Sequence, residues 1–354
     1  MKFKTHFPAH FSFFSHLLPI VLLILITVFT AEAQWQKQTV GTKASLRGLS
    51  VVSDKVIWAS GTGGTFLKTV DGGKNWTVGK VPGAEKLDFR DVEACDDETA
   101  YLLSIGDGET SRIYKTTDGG ANWKLQFQNT NPKVFLDAFA FWDANHGIAM
   151  GDPIDGKYFL LETKNGGANW NPIDTSQMPN AKQGEAAFAA SGTCLIAHGK
   201  NGAFLVSGGN DARVFRSENR GATWTVANSP IVKGTAGSGI FSIAMRDKSN
   251  GVIVGGNYEK PNDITNNLAF TKDGGKTWTL GKGLNGYRSG VTFYNGNQLI
   301  AVGASGSDIS YDGGKTWTNI DKENYNAVQS KTLNSAWAVG ANGLVSHYKI
   351  TVIE

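Results

Sequence analysis

The chain is poor in the residues from which metal centres and disulfide frameworks are built. It has only two cysteines, Cys95 and Cys194, and six histidines in 354 residues. His6, His10 and His16 cluster near the start, while His146, His198 and His347 stand far apart, so no later pair has ligand spacing. Neither a structural zinc nor a catalytic metal is expected. The two cysteines fall in different repeat units, and two separately buried thiols are expected rather than a bridge. Charge of one sign is also missing. The 34 basic and 31 acidic side chains are interspersed, which gives none of the basic stripe that nucleic acid demands. Long apolar runs are absent apart from Leu17–Phe29 (LLPIVLLILITVF), whose 13 residues fall short of the ~20 needed to span a bilayer.

That run follows Lys2 and Lys4 and precedes Ala31-Glu32-Ala33, a small-x-small cleavage site. Residues 1–33 read as a signal peptide cleaved after Ala33. A secreted or periplasmic mature chain, 34–354, is expected, with no membrane span. No cysteine follows the cleavage site, so a lipoprotein anchor is not expected. The mature chain keeps 321 residues, with 32 basic and 30 acidic.

Glycine (44 residues) and tryptophan (10) are plentiful, and they recur together. TVDGGKNWT (69–77) returns as TTDGGANWK, TKNGGANWN, SENRGATWT, TKDGGKTWT and SYDGGKTWT. The rule is Ser/Thr, any, Asp/Asn, any, Gly, any, Asn/Thr, Trp. The tryptophans are Trp76, Trp123, Trp170, Trp224, Trp278 and Trp317, at gaps of 47, 47, 54, 54 and 39. A short apolar strand ending in Gly precedes each box: VIWASG, AYLLSIG, GIAMG, CLIAHG, GVIVGG and LIAVG, with a seventh, AWAVG, near the C-terminus. Each unit therefore reads as four antiparallel strands, which is the pattern of a propeller blade. The fold class is all-β: a single seven-bladed β-propeller of four-stranded antiparallel blades. The last unit lacks a box and an outer strand, and Gln34-Trp35-Gln36-Lys37 resembles the phrase that follows a box. This mature N-terminal strand is expected to close the last blade, with Trp35 in place of the seventh box tryptophan, and so remove an open sheet edge. Six blades is the alternative count.

Within the box, glycines adopt positive φ without strain. The short Asp or Asn side chain and the Ser/Thr hydroxyl accept backbone N–H groups of the turn, and tryptophan fills space between blades. Asp71, Asp118, Asn165, Asn219, Asp273 and Asp312 are thus turn staples. Because two are Asn, negative charge is dispensable, which argues against a metal ligand or a general acid. EF-hand and P-loop spacings are absent.

These motifs are those known as Asp-boxes or BNR repeats. Over the mature chain, the AVG and T-x-DGG-x-TW phrases resemble the photosystem II stability/assembly factor-like family, within the wider sialidase-like and WD40/YVTN/BNR-like propellers. In photosystem-linked members the partner is a precursor subunit of the reaction centre. The resemblance implies the binding mode here, not that partner. It implies no cofactor, and no nucleotide, flavin or haem signature is present.

The face opposite the boxes should carry any site, because extra loop length falls there, as in GDPIDGKY, GKNGAFLVSGGNDAR and GGNYEKPNDITNN. Arg47, Arg90 and Arg288 sit near inner-strand starts, with Asp137 and Glu185 in that position in units 3 and 4. Asp152, Asp155, Arg213, Tyr258 and Asp308 fall on or beside the adjoining loops. Arginine forks bind carboxylates, so a peptide C-terminus, an acidic side chain or an acidic sugar are suitable guests. A non-catalytic protein- or peptide-binding module is the expected function. The alternative is a sialidase-like glycoside hydrolase using Tyr258 with Glu185. The Arg-Ile-Pro phrase of such enzymes is missing, the nearest match being Arg112-Ile113-Tyr114.

Overall fold

Six turns of one chemistry organise the structure, a computed structural model that describes residues 1–4, 31–333 and 335–352. Leu17–Phe29, read above as part of the signal segment, lies outside the described residues. In the first box Thr69 Oγ1 donates to Asp71 Oδ1 (2.8 Å) and accepts the Gly73 N–H (3.0 Å), while Asp71 Oδ1 also accepts the Asn75 N–H (2.9 Å). The same closure recurs at Thr116/Asp118, Thr163/Asn165, Ser217/Asn219, Thr271/Asp273 and Ser310/Asp312. Gly72 and Gly73 take φ of 73° and 85°, and in blade 4 Arg220 holds the first of these positions at φ 57°.

The boxes join strands three and four of blades 1–6. Among the described residues seven sheets are present, and their inner strands are Leu46–Val51, Phe89–Ala94, Leu136–Phe141, Leu195–His198, Ser238–Met245, Gly290–Asn295 and Tyr325–Gln329. Blade 7 is completed by the strand Ala31–Lys37, which pairs with Val345–Val352. Trp35 donates from Nε1 to Ser307 Oγ of blade 6 (2.9 Å) and packs against Tyr325 and Tyr348. Residues Ala33–Ile350 form one unit. Its core is a series of layers between blades, into which the box tryptophans of blades 1–6 pack, with Trp35 in the layer between blades 6 and 7.

Inner strands have one edge without a sheet partner, and side chains of neighbouring blades satisfy it. Gln329 accepts the Val51 N–H (2.9 Å), Ser50 that of Ala94 (3.0 Å), Asp91 that of Phe139 (2.9 Å) and Ser242 that of Val291 (3.1 Å).

Three readings of the sequence are corrected. CLIAH is the inner strand of blade 4, not the second, and the supposed loop after it contains the strand Gly202–Val206. The segment after Glu185, expected as the start of the unit-4 inner strand, crosses the channel instead as Phe188–Thr193. GDPIDGKY is a hairpin, with Ile154 paired to Lys157, rather than a long loop. Cys194 is a buried free thiol, but Cys95 is exposed.

Trp35→Ala should lower stability by about 3 kcal/mol, the lower end of the range for losing a large aromatic because the ring is only part-buried; urea denaturation measures this. The box carboxylates of Asp71, Asp273 and Asp312 are held down to about 2, with hydrogen bonds from Asn75, Thr277 and Thr316 the first cause. A depressed carboxylate stabilises above its unfolded pKa of about 4, and that contribution is lost as pH falls through the folded value. Amide protection of Asn75, Thr277 and Thr316 should therefore fall between pH ~4 and ~2, while Asn169 and Thr223, bonded to Asn165 and Asn219, keep theirs. Hydrogen-exchange NMR reads the difference.

Candidate functional site

One irregularity recurs where the inner strands begin. In five blades the pairing with the second strand skips a residue, between Leu46/Gly48, Phe89/Asp91, Leu136/Ala138, Ile240/Ser242 and Tyr325/Ala327. The extra residues are Arg47, Arg90, Asp137, Phe241 and Asn326. A β-bulge frees one residue from the alternation of the strand and re-aims its side chain. All five line a single cavity of about 510 Å³ at the channel mouth opposite the boxes.

Blade 6 shows why Arg288 is not among them. A Cβ on Gly61 would lie 2.2 Å from Ser45 O and 3.0 Å from the Leu46 Cα; one on Gly303 would lie at the same distances from Tyr287 O and Arg288 Cα. Arg288 thus occupies the place of the core residue Leu46, and Ser289 that of Arg47. Ser289 does line the cavity. A slip of one residue exchanges the faces of a strand, and the equivalence expected from sequence was one residue out. Arg288 and Asp308 are both 0 % exposed and paired at 2.6 Å. Asp308 also accepts the Asn285 N–H (3.0 Å), and Arg288 donates to Tyr287 O (2.8 Å) and Ser305 Oγ (2.9 Å). This pair locks blade 6 and presents nothing to a ligand.

Glu185 and Arg213 pair in the same way. Glu185 lies on the two-residue strand Glu185–Ala186 at the edge of blade 5, not at an inner-strand start. Its carboxylate takes the Arg213 Nε (3.0 Å), the Ser207 hydroxyl and the Lys182 N–H (2.8 Å). Asp155 sits at the hairpin turn, 86 % exposed, 3.9 Å from Lys133. Of the expected site residues, the structure gathers Arg47, Arg90, Asp152 and Tyr258, together with Asp137.

In blade 4 a segment crosses the channel. Its residues touch blades on every side: Arg47 Nη1 donates to Ala190 O (3.4 Å), Arg90 Nη1 to Ala189 O (3.2 Å), Ser191 Oγ to Ser289 O (2.8 Å), and Phe188 lies flat on Phe241 with ring centres 3.9 Å apart. Phe188, Ala189 and Ala190 line the mouth cavity; Ser191, Gly192 and Thr193 line a second one, of about 520 Å³, on the box side. The segment is a plug that floors the mouth.

The mouth has three sectors. Arg47 and Arg90 form the cationic one. Burial, and then the neighbouring Arg90, pull the Arg47 pKa below its ordinary value, and Arg90 is steadied by Asp88 (2.8 Å). Asp137 and Asp152 form the acidic one. Burial pushes both carboxyls up, with Asp152 adding to the effect on Asp137. Phe188, Phe241 and Tyr287 form the aromatic one, with Tyr258, 49 % exposed, at its rim. The sequence reading missed Phe188, Phe241, Tyr287, Ser289 and Asn326. A signal for the bulge residues exists: apolar, any, small, as in LRG, LDA, IFS and YNA.

Fold and site define a β-propeller that offers a floored mouth lined by cationic, acidic and aromatic sectors. The model of the family described as Photosynthesis system II assembly factor YCF48 matches residues 27–133. The chain is 26% identical to the Photosystem II assembly lipoprotein Ycf48 of Picosynechococcus sp. over 332 residues, 80% of this chain and 88% of that one. It is 22% identical to the chloroplastic Photosystem II stability/assembly factor HCF136 of Arabidopsis thaliana, spanning 72% of this chain and only 61% of that relative. Among solved structures, one of YCF48 bound to D1 peptide superposes with a TM-score of 0.66 at 17% identity, covering 91% of this chain and 99% of that one. YCF48 from Cyanidioschyzon merolae gives 0.63 at 18%, covering 90% and 99%. At such identities the structural likeness is one of fold. The chain is a β-propeller whose sequence is similar to photosystem II assembly factors.

Arg288→Met should cost about 3–5 kcal/mol, because it leaves Asp308 buried and unpaired, whereas Arg47→Met should change stability by less than about 1 kcal/mol. Urea denaturation of both variants checks the assignment of one arginine to the fold and the other to the mouth.

Proposed function

We propose that this chain is an exported, non-catalytic binding module that engages a protein or peptide at the channel mouth, with Arg47 and Arg90 receiving a carboxylate of the partner. The observation that carries this reading is the bulge-borne pair of arginines converging in one floored cavity. Among the described residues they donate to Asp88 and two plug carbonyls. Backbone carbonyls are weaker partners for a guanidinium than a carboxylate in the fork geometry. A cavity of this size accommodates a few residues of a peptide. The names of the relatives, and the D1 peptide in one solved YCF48 structure, support a binding role.

The compartment follows from the same reading. Residues 1–33 act as a cleaved signal peptide and 34–354 as the secreted or periplasmic propeller. Among the described residues no helix is long and apolar enough to cross a membrane. The cyanobacterial relatives are named lipoproteins; in this chain Cys95 and Cys194 both lie within the propeller. A glycosidase that hydrolyses acidic glycans gains no support, because Glu185, the carboxylate that would assist Tyr258, is held by Arg213 and Ser207.

Arg47→Ala/Arg90→Ala should abolish capture of a partner retained by the wild-type protein, a loss of about tenfold or more in affinity, with the melting temperature almost unchanged. Pull-down and calorimetry on the same preparations decide it, and undiminished capture would overturn the assignment.

A further inference from the structure

The carboxylate-binding reading leaves the acidic sector of the mouth without a task. Four aspartates are buried among the described residues: Asp91, Asp137, Asp211 and Asp308. Three are saturated. Asp91 accepts the Val92 and Phe139 N–H groups (both 2.9 Å). Asp211 takes the Ala212 N–H and two lysines, and Asp308 takes Arg288, Asn285 and Asn319. Asp137 is the exception. It is 1 % exposed, and its Oδ2 has no hydrogen-bond partner among the described residues. It is also the only one of the four in the wall of the mouth cavity.

A buried carboxylate oxygen without a donor is costly, and native structures rarely keep one without a reason. Among the described residues no donor lies within hydrogen-bond distance of it, and the nearby Arg90 points its Nε and Nη1 at Asp88 and Ala189 O instead. Asp152, on the same wall, spends Oδ1 on the Ala187 N–H (2.9 Å) and adds a second carboxyl. Asp107 contributes a further negative charge to the surroundings of Asp152. Two adjacent carboxyls facing a cavity call for a compact cation with several donors, and an ammonium supplies three on one atom.

We propose that Asp137 and Asp152 form a subsite for a primary ammonium group, the lysine side chain of a bound peptide. This rests on the peptide-binding reading and extends it. The bulge that sends Asp137 into the mouth is the one that sends Arg47 and Arg90 there. The mouth therefore reads a dipolar segment: a carboxylate at blades 1 and 2, an ammonium at blade 3. A peptide carrying both charges gains over one carrying either, and a peptide with a second carboxylate at the ammonium position is rejected by like charge.

The test uses small probes on the full mature chain: n-butylammonium for the lysine side chain, glycinamide for a chain N-terminus, and butyrate for the carboxylate, each against sodium chloride at equal ionic strength. Butylammonium should raise the melting temperature saturably in the wild type and in Arg47→Ala/Arg90→Ala. Its apparent affinity should fall about tenfold or more in Asp137→Asn and in Asp152→Asn. No response of the wild type to butylammonium overturns the subsite, whether or not the aspartate variants fold. So does a response that both variants retain. A stronger response to glycinamide than to butylammonium overturns the lysine assignment in favour of an amino terminus. Butyrate reports on the arginines alone, so its failure refutes the carboxylate reading while leaving the ammonium result to stand by itself.

Discussion

Each box tryptophan packs against the blade before its own, Trp170, Trp224 and Trp278 buried and Trp76, Trp123 and Trp317 partly so, and the mouth depends on that contact being made all the way round. Trp123 of blade 2 meets Trp58 and Phe66 of blade 1 edge-on, at 6.2 and 5.1 Å. Trp76 of blade 1 meets Trp337 of blade 7 at 5.8 Å. Trp317 of blade 6 joins the layer of Val254 and Leu268 in blade 5. Buried aromatics of this size contribute strongly to a core, and the short staple turns fix where each ring stands. Blade 7 has no box, so the contact onto blade 6 is supplied from the other end of the chain by Trp35. Residues that line the mouth come from blades 1, 2, 3, 5, 6 and 7 and from the plug that leads into blade 4, and a missing layer anywhere would displace them from one another.

Upon this ring, the bulge separates architecture from chemistry. The residue before it, Leu46, Phe89, Leu136, Ile240 or Tyr325, is packed in the core and cannot vary much without creating a cavity or a clash. The bulged residue stands outside the strand alternation, so its side chain answers to the mouth rather than to the blade interior: Phe241 packs on Phe188 and Tyr287, Asn326 donates to Leu46 O, and Arg47, Arg90 and Asp137 carry charge. Blade 6 shows the constraint from the other side. Arginine at the core position is tolerated there only because Asp308, Asn285 and Ser305 meet its nitrogens inside the blade.

Most of the fold was legible because the boxes are local. A staple turn needs eight neighbouring residues, so it shows in the sequence as a fixed phrase. Trp35 could be placed because it completes a count. The site was legible only in part, because it depends on register, which is a relation between strands. Arg47, Arg90 and Arg288 look alike along the chain, yet one residue of offset puts two in the mouth and one in the core. Asp152 and Tyr258 were found because loops at that face converge. Glu185 misled because blade 4 departs from the repeat. Its first strand is CLIAH, and the length that should have made an inner strand became the plug.

The plug also decides how a guest can enter. With Phe188–Ala190 closing one cavity and Ser191–Thr193 the other, a chain cannot thread the propeller. The box-side cavity has its own chemistry: burial raises Asp91 to about 7 and Glu93 to about 8, so it favours protonated carboxyls and offers no arginine among its lining residues. What binds at the mouth must present an end, a loop tip or projecting side chains to the floor. Such a guest makes few contacts, so each has to be specific. On the proposed reading, opposed charges on adjoining blades, held on bulges rather than on loops, would select a ligand without ordering any part of the protein.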